Sequence, residues 1–176
     1  MSRQQGAAAL ALIVVVATIA AVALVAALPL GGVARERATQ QALADAASAL
    51  AGFARMRRCI IGTGTVASHL PCPDHGTAEG VAATSCAPIA VGRLPWRTLG
   101  IEPLRDASGE CLWYERTATG ARVIAPGAAL PGQSRTAAPV APICGGHYGQ
   151  TDYLEAAGND RSLDVPPAAL SVPAGC

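Results

Sequence analysis

Apolar residues follow two different patterns along this chain. From Ala7 to Leu28 they run for 22 positions without a charge, a length that at ~1.5 Å per residue crosses a ~30 Å hydrocarbon layer. From Val33 to Arg58 they recur at helical intervals instead. Leu43, Ala46, Ala47, Leu50, Phe53 and Ala54 keep the i, i+3, i+4, i+7 spacing, while Arg35, Arg37, Gln41, Asp45, Arg55 and Arg58 take the other faces. This predicts an amphipathic helix whose stripe packs on the rest of the same chain. Between the two patterns, Pro29 and Gly31-Gly32 predict a kink or local break, because proline removes a backbone donor and glycine adds freedom.

From Cys59 onward the texture changes: 27 of 118 residues are Gly or Pro, so turns and loops dominate. The best strand pair is Cys111 to Arg116 with Ala121 to Ala125, joined through Thr117 to Gly120, a short connection with glycine available for a positive φ. Apolar pieces around Ile60, Ile89 to Val91 and Leu99 to Ile101 are short candidates for one more strand. No internal repeat is present.

Composition sharpens this picture in two places. The chain is 51% hydrophobic but only 3% aromatic, so the excess is small aliphatic residues gathered at the N-terminus and the body can build only a modest core. All 13 basic residues are arginine, and the formal net charge is +1, which offers no field for nucleic acid. The six cysteines, Cys59, Cys72, Cys86, Cys111, Cys144 and Cys176, all follow the apolar run. An even number there suits an oxidising compartment and a small core stapled by disulfides. Sequence leaves fifteen complete pairings open; Cys72 with Cys86, closing a loop of moderate length, is the first expectation. Arg3 before the run and Arg35 and Arg37 after it do not decide orientation by charge, so the cysteines place the body outside the cytoplasm. Cleavage by signal peptidase near residues 21–27 is the other processing route, for which the apolar run is too long.

Groups with catalytic or metal-binding chemistry are sparse. Cys59, Cys72, His75 and Cys86 carry zinc-ligand atoms, but at no standard spacing. Ser68, His69 and Asp74 have the residue types of a hydrolase triad without a nucleophile elbow. Ile61 to Val66 (IGTGTV) lacks the third glycine of a dinucleotide loop. His147, like His69 and His75, sits in loop-like sequence. Glu155, Asn159, Asp160 and Asp164 gather oxygen donors that calcium accepts, though not at EF-hand spacing. No motif with a mechanism points to an enzyme, and no cofactor is implied beyond that weak calcium set.

The start, Arg3-Gln-Gln-Gly6 followed by Ala-Ala-Ala-Leu and an apolar run that continues into an amphipathic helix, resembles the class III signal of type IV pilins and type II secretion pseudopilins. Later stretches are similar to the body of pilin-like proteins in the same order: LPCPD at 70–74, GRLPWRTLG at 92–100, DASGECLWY at 106–114 and YLE at 153–155. The resemblance implies an α+β fold, a long N-terminal helix whose second half packs on a small antiparallel sheet, loop-rich and disulfide-stapled. It implies cleavage by prepilin peptidase after Gly6, with Ala7 becoming the first, methylated residue.

The expected organisation is then a leader at 1–6, a transmembrane and assembly helix at 7–28, its amphipathic continuation at 29–58 and an extracytoplasmic globular domain at 59–176. The implied location is the bacterial inner membrane, single-pass with the body in the periplasm, and afterwards a pilus or pseudopilus. Implied partners are the peptidase, other subunits contacting the N-terminal helix, and the inner-membrane assembly platform. Two positions depart from the family: Ala11 stands where most members carry glutamate five residues after cleavage, and Ser108-Gly109 replaces the tryptophan common in the Asp-x-x-Gly turn. A subunit without that glutamate is expected to be a minor, tip-located one. The alternative expectation is a membrane-anchored extracytoplasmic binding or enzymatic domain that keeps its anchor uncleaved.

Overall fold

A computed structural model describes residues 15–18, 30–61, 66–74, 80–87, 91–131, 144 and 159–170. The chain divides into two units, residues 1–35 and 36–176. Residues 15–18 are helical. The long element is helix α1, Leu30–Ile61, of 32 residues. It includes Gly31 and Gly32 without interruption, and it runs three residues past the predicted end at Arg58. Glycine costs ~1 kcal/mol in a helix but keeps its N–H, so it weakens the helix without breaking it. Pro29, which lacks that donor, lies outside the described residues.

The expected location in the bacterial inner membrane does not hold. Among the described residues no helix is long and apolar enough to cross a membrane: α1 carries Arg35, Glu36, Arg37, Asp45, Arg55, Arg57 and Arg58 along its length, and each would be costly in hydrocarbon. Of the expected span at 7–28, all but residues 15–18 lie outside the described residues, as does the 1–6 leader.

Four strands, β1 (Val91–Arg93), β2 (Trp113–Arg116), β3 (Ala121–Ala125) and β4 (Arg161–Val165), form one antiparallel sheet in the order β1-β2-β3-β4. Short helices α2 (Val66–His69), α3 (Trp96–Leu99) and α4 (Pro167–Leu170) lie before, between and after them. Alternation along the strands gives the sheet a core face. Tyr114 pairs with Val123 and Val123 with Leu163, and Ala121, Val123 and Ala125 point the same way as Val165 into one cluster. Against them α1 presents Ala42, Leu43, Ala46, Leu50, Ala51 and Ala54, with Leu43, Ala46 and Leu50 fully buried. The stripe is mostly alanine, so the core shared with the sheet is poor in large side chains. Together these elements make an α+β fold, a long helix on a small antiparallel sheet.

The hairpin from β2 to β3 starts two residues later than predicted. Cys111 instead makes an isolated bridge with Arg105. Its Gly120 does not supply a positive φ; a Cβ there would lie 2.6 Å from the Val165 carbonyl oxygen, so glycine is needed because β4 passes close to the turn. The 99–101 stretch is not a strand. Leu99 ends α3, and Gly100 closes that turn in the left-handed conformation at φ 72°, donating to the Arg97 carbonyl while Ile101 N–H reaches Trp96 O. Disulfides join Cys72 to Cys86 and Cys111 to Cys144. From loop length alone they would stabilise the body by about 3 and 4 kcal/mol. Cys59 is also disulfide-bonded.

Candidate functional site

Two built features stand on the body. The first is a strap whose described residues are 70–74 and 80–86, held to the sheet at several points. Pro71 O accepts the Tyr114 hydroxyl at 3.1 Å, and Asp74 pairs its backbone with Arg93 in both directions, at 2.9 and 3.0 Å. The Asp74 carboxylate accepts the Gly80 N–H at 2.5 Å. Gly80, at φ 86°, lies against the Trp96 indole so closely that no Cβ would fit. The Thr98 N–H donates to Gly80 O at 3.1 Å, and the Ala82 N–H to the Thr98 hydroxyl at 2.8 Å. The Arg116 guanidinium, at the end of β2, reaches the disulfide: its Nη1 is 2.6 Å from Cys86 Sγ and 3.8 Å from Cys72 Sγ. Burial raises the Tyr114 phenol above its ordinary range, only partly countered by Arg116.

The second feature is the Asp106 turn before β2. Asp106 Oδ1 accepts the N–H groups of Ser108 and Glu110 at 2.8 and 3.1 Å and the Ser108 hydroxyl, while Oδ2 accepts Gly127 N–H at 2.7 Å from beyond β3. Gly109 supplies the φ of 88° that closes the turn. The Ala107 N–H donates to the Thr39 hydroxyl of α1 at 3.1 Å. One carboxylate thus ties the entry of β2 to the exit of β3, and the turn beside it to the helix.

The candidate chemical groups do not assemble. Both His69 ring nitrogens are buried without a hydrogen-bond partner, so His69 links to neither Ser68 nor Asp74 and no relay exists among the three. Cys59, Cys72 and Cys86 are disulfide-bonded, which leaves no thiolate for zinc there; His75 and His147 lie outside the described residues. Of the calcium set, Glu155 lies outside the described residues. The Asn159 amide donates to Pro126 O and Ala128 O at 2.9 and 3.1 Å and to Asp160 Oδ1 at 3.2 Å. Asp164 pairs with Arg122 at 2.9 Å in a row that continues to Glu115 at 3.6 Å. Among the described residues no three His, Cys, Asp or Glu side chains are grouped to hold a metal.

Gly6, Ala7, Ala11 and Cys176 also lie outside the described residues. Strand β4 runs through the end of the stretch that carries the calcium-set oxygen donors, and its Arg161 meets Glu36 of α1 at 3.4 Å. The Gln40 amide holds the Glu36 carboxyl below its usual range, against an opposing desolvation and with Arg161 adding to the lowering.

Outside α1's packed stripe, Met56 and Ile60 are exposed one turn apart, and the Arg57 guanidinium lies 5.8 Å from the Phe53 ring centre. Neither the family models, nor the curated proteins, nor the solved structures contain a match to this chain.

Proposed function

We propose that this chain is a structural subunit of a pilin-like filament, a type II secretion pseudopilus or a type IV pilus, and that it occupies a minor, assembly-starting position. The observation that carries the reading is the pairing of a long N-terminal helix, its small-residue stripe buried on an antiparallel meander, with a disulfide-stapled body. It is supported by the N-terminal Arg3-Gln-Gln-Gly6 and the apolar run after it. The body's role is to present α1 and the sheet as a rigid unit to neighbouring copies and subunits.

The deciding measurement is intact mass of the protein expressed with and without a prepilin peptidase. Loss of residues 1–6 only in the presence of the peptidase is the expected result. A chain that keeps residues 1–6 in both samples would overturn the assignment and leave the uncleaved binding or enzymatic domain.

A further inference from the structure

The two described disulfides sit in different chemical settings. Cys111 and Cys144 are each only 7% exposed, in a small cluster with Trp96. Cys72 and Cys86 are both partly exposed, and a guanidinium lies against one of the two sulfurs. Arg116 Nη1 is 2.6 Å from Cys86 Sγ but 3.8 Å from Cys72 Sγ, and the same nitrogen is 3.5 Å from Leu70 O. A neighbouring arginine stabilises a thiolate over the thiol, and a disulfide sulfur leaves faster the more stable its thiolate is.

From this asymmetry we infer that the Cys72–Cys86 bond is a site of thiol–disulfide exchange, open to a small thiol or a dithiol oxidoreductase, with Cys72 as the sulfur attacked and Cys86 as the leaving group. The attacking thiolate forms a new S–S bond to Cys72 Sγ while the Cys72–Cys86 bond breaks. Its electron pair leaves with Cys86 as a thiolate beside Arg116. A second thiol of the dithiol then attacks its own sulfur in the mixed disulfide, releases Cys72 as thiolate and closes the reagent's disulfide. The protein gains two electrons and two thiols; the dithiol is oxidised by the same amount.

The fold tolerates the opening. The strap remains fastened through the Asp74–Arg93 bridge, the Tyr114–Pro71 hydrogen bond and the Gly80 and Ala82 contacts to α3. None of these needs the S–S bond, and Cys111–Cys144 still closes the larger loop.

The test uses the full oxidised chain under native conditions, with glutathione as the probe for adduct position and dithiothreitol for rate. Samples are quenched by alkylation over time and mapped by mass spectrometry, with circular dichroism recorded alongside. The comparison is between the two described bonds and, within the first, between its sulfurs. A nearby cation lowers a thiol pKa by about a unit or more, and with the leaving group taken to be as sensitive as the attacking thiol, whose Brønsted coefficient is ~0.5, one unit is worth about threefold in rate.

The wild type should accordingly lose Cys72–Cys86 before Cys111–Cys144, and glutathione should appear on Cys72 about three times as often as on Cys86. Arg116→Gln should slow the first reduction about twofold, because only attack at Cys72 loses its roughly threefold advantage, and bring the adduct ratio near parity, while Arg116→Lys, which keeps the charge, should hold the wild-type ratio. The Lys variant and the wild-type ratio carry the test if the Gln variant does not fold. Earlier loss of Cys111–Cys144, an adduct mainly on Cys86, a Gln variant unchanged in rate and ratio, or a Lys variant whose ratio collapses would each overturn the inference.

Discussion

Replacing Asp106 with alanine should be among the most damaging single changes in the body. Its side chain is 7% exposed and accepts three backbone N–H groups, those of Ser108, Glu110 and Gly127, together with the Ser108 hydroxyl. A hydrogen bond to a charged group contributes ~1.5 to 3 kcal/mol, and a buried donor left without a partner costs ~1 to 3 kcal/mol. Ser108 and Glu110 are near enough to the surface for water to replace part of what is lost, whereas the Gly127 bond spans the gap between β2's entry and β3's exit. About 3 kcal/mol is the expected total.

Asp106→Asn separates the two halves of the carboxylate. Its amide oxygen can still serve the Ser108 and Glu110 donors, but its NH2 then faces the Gly127 N–H, donor against donor, and about half the loss should remain. Urea titrations followed by circular dichroism, with disulfides intact and unchanged slopes, measure both differences. If Asp106→Ala costs under ~1 kcal/mol, or Asp106→Asn matches the wild type, the carboxylate does not hold the two strand ends together and the reasoning fails.

Other expectations concern glycine, tyrosine and the N-terminus. Gly120→Ala puts a Cβ 2.6 Å from the Val165 carbonyl oxygen and should destabilise by about 2 kcal/mol, while Gly52→Ala, with nothing within 4 Å in an exposed helix interior, should stabilise by about 0.5 to 1 kcal/mol; thermal melts of the pair should move in opposite directions. Tyr114 is held neutral by burial. A raised folded pKa gives stability that is complete below the unfolded value near ~10 and is lost as pH rises above it, so one of the three tyrosines should resist ionisation in an ultraviolet titration until the body opens. Tyr114→Phe should remove that late step and, through loss of the bond to Pro71 O, cost about 1 kcal/mol. Within the filament reading, Ala11 marks a subunit present in few copies. Quantitative mass spectrometry of sheared filaments should find its amount independent of filament length, and Ala11→Glu should raise it; wild-type protein in proportion to length would contradict the tip position.

Elements built from near neighbours in the chain were legible from sequence. The stripe Leu43, Ala46, Leu50 and Ala54 declares itself because a helix brings residues three and four apart onto one face. The β2–β3 hairpin shows because its strands and turn are contiguous, and Cys72 with Cys86 is a short closure. What sequence misplaced depends on distant partners. β4, where sequence offered only oxygen donors and no strand, is an edge strand with a mostly exposed pattern, and it exists because β3 offers a full ladder to pair with. Asn159 and Asp164, chosen as oxygen donors, are occupied by the β3 exit and by Arg122. Gly120 is required by a carbonyl 45 residues away, Asp106 reaches 21 residues to Gly127, and Arg116 reaches 30 residues back to Cys86. Periodicity and turn chemistry act over about four residues, so they settle which segments are helix or hairpin. Which distant segments meet is settled by burying the alanine-rich stripe of α1 against one face of the sheet together with the strand ladders and the disulfides, and these bring Asp106, Gly120 and Arg116 to the groups they serve.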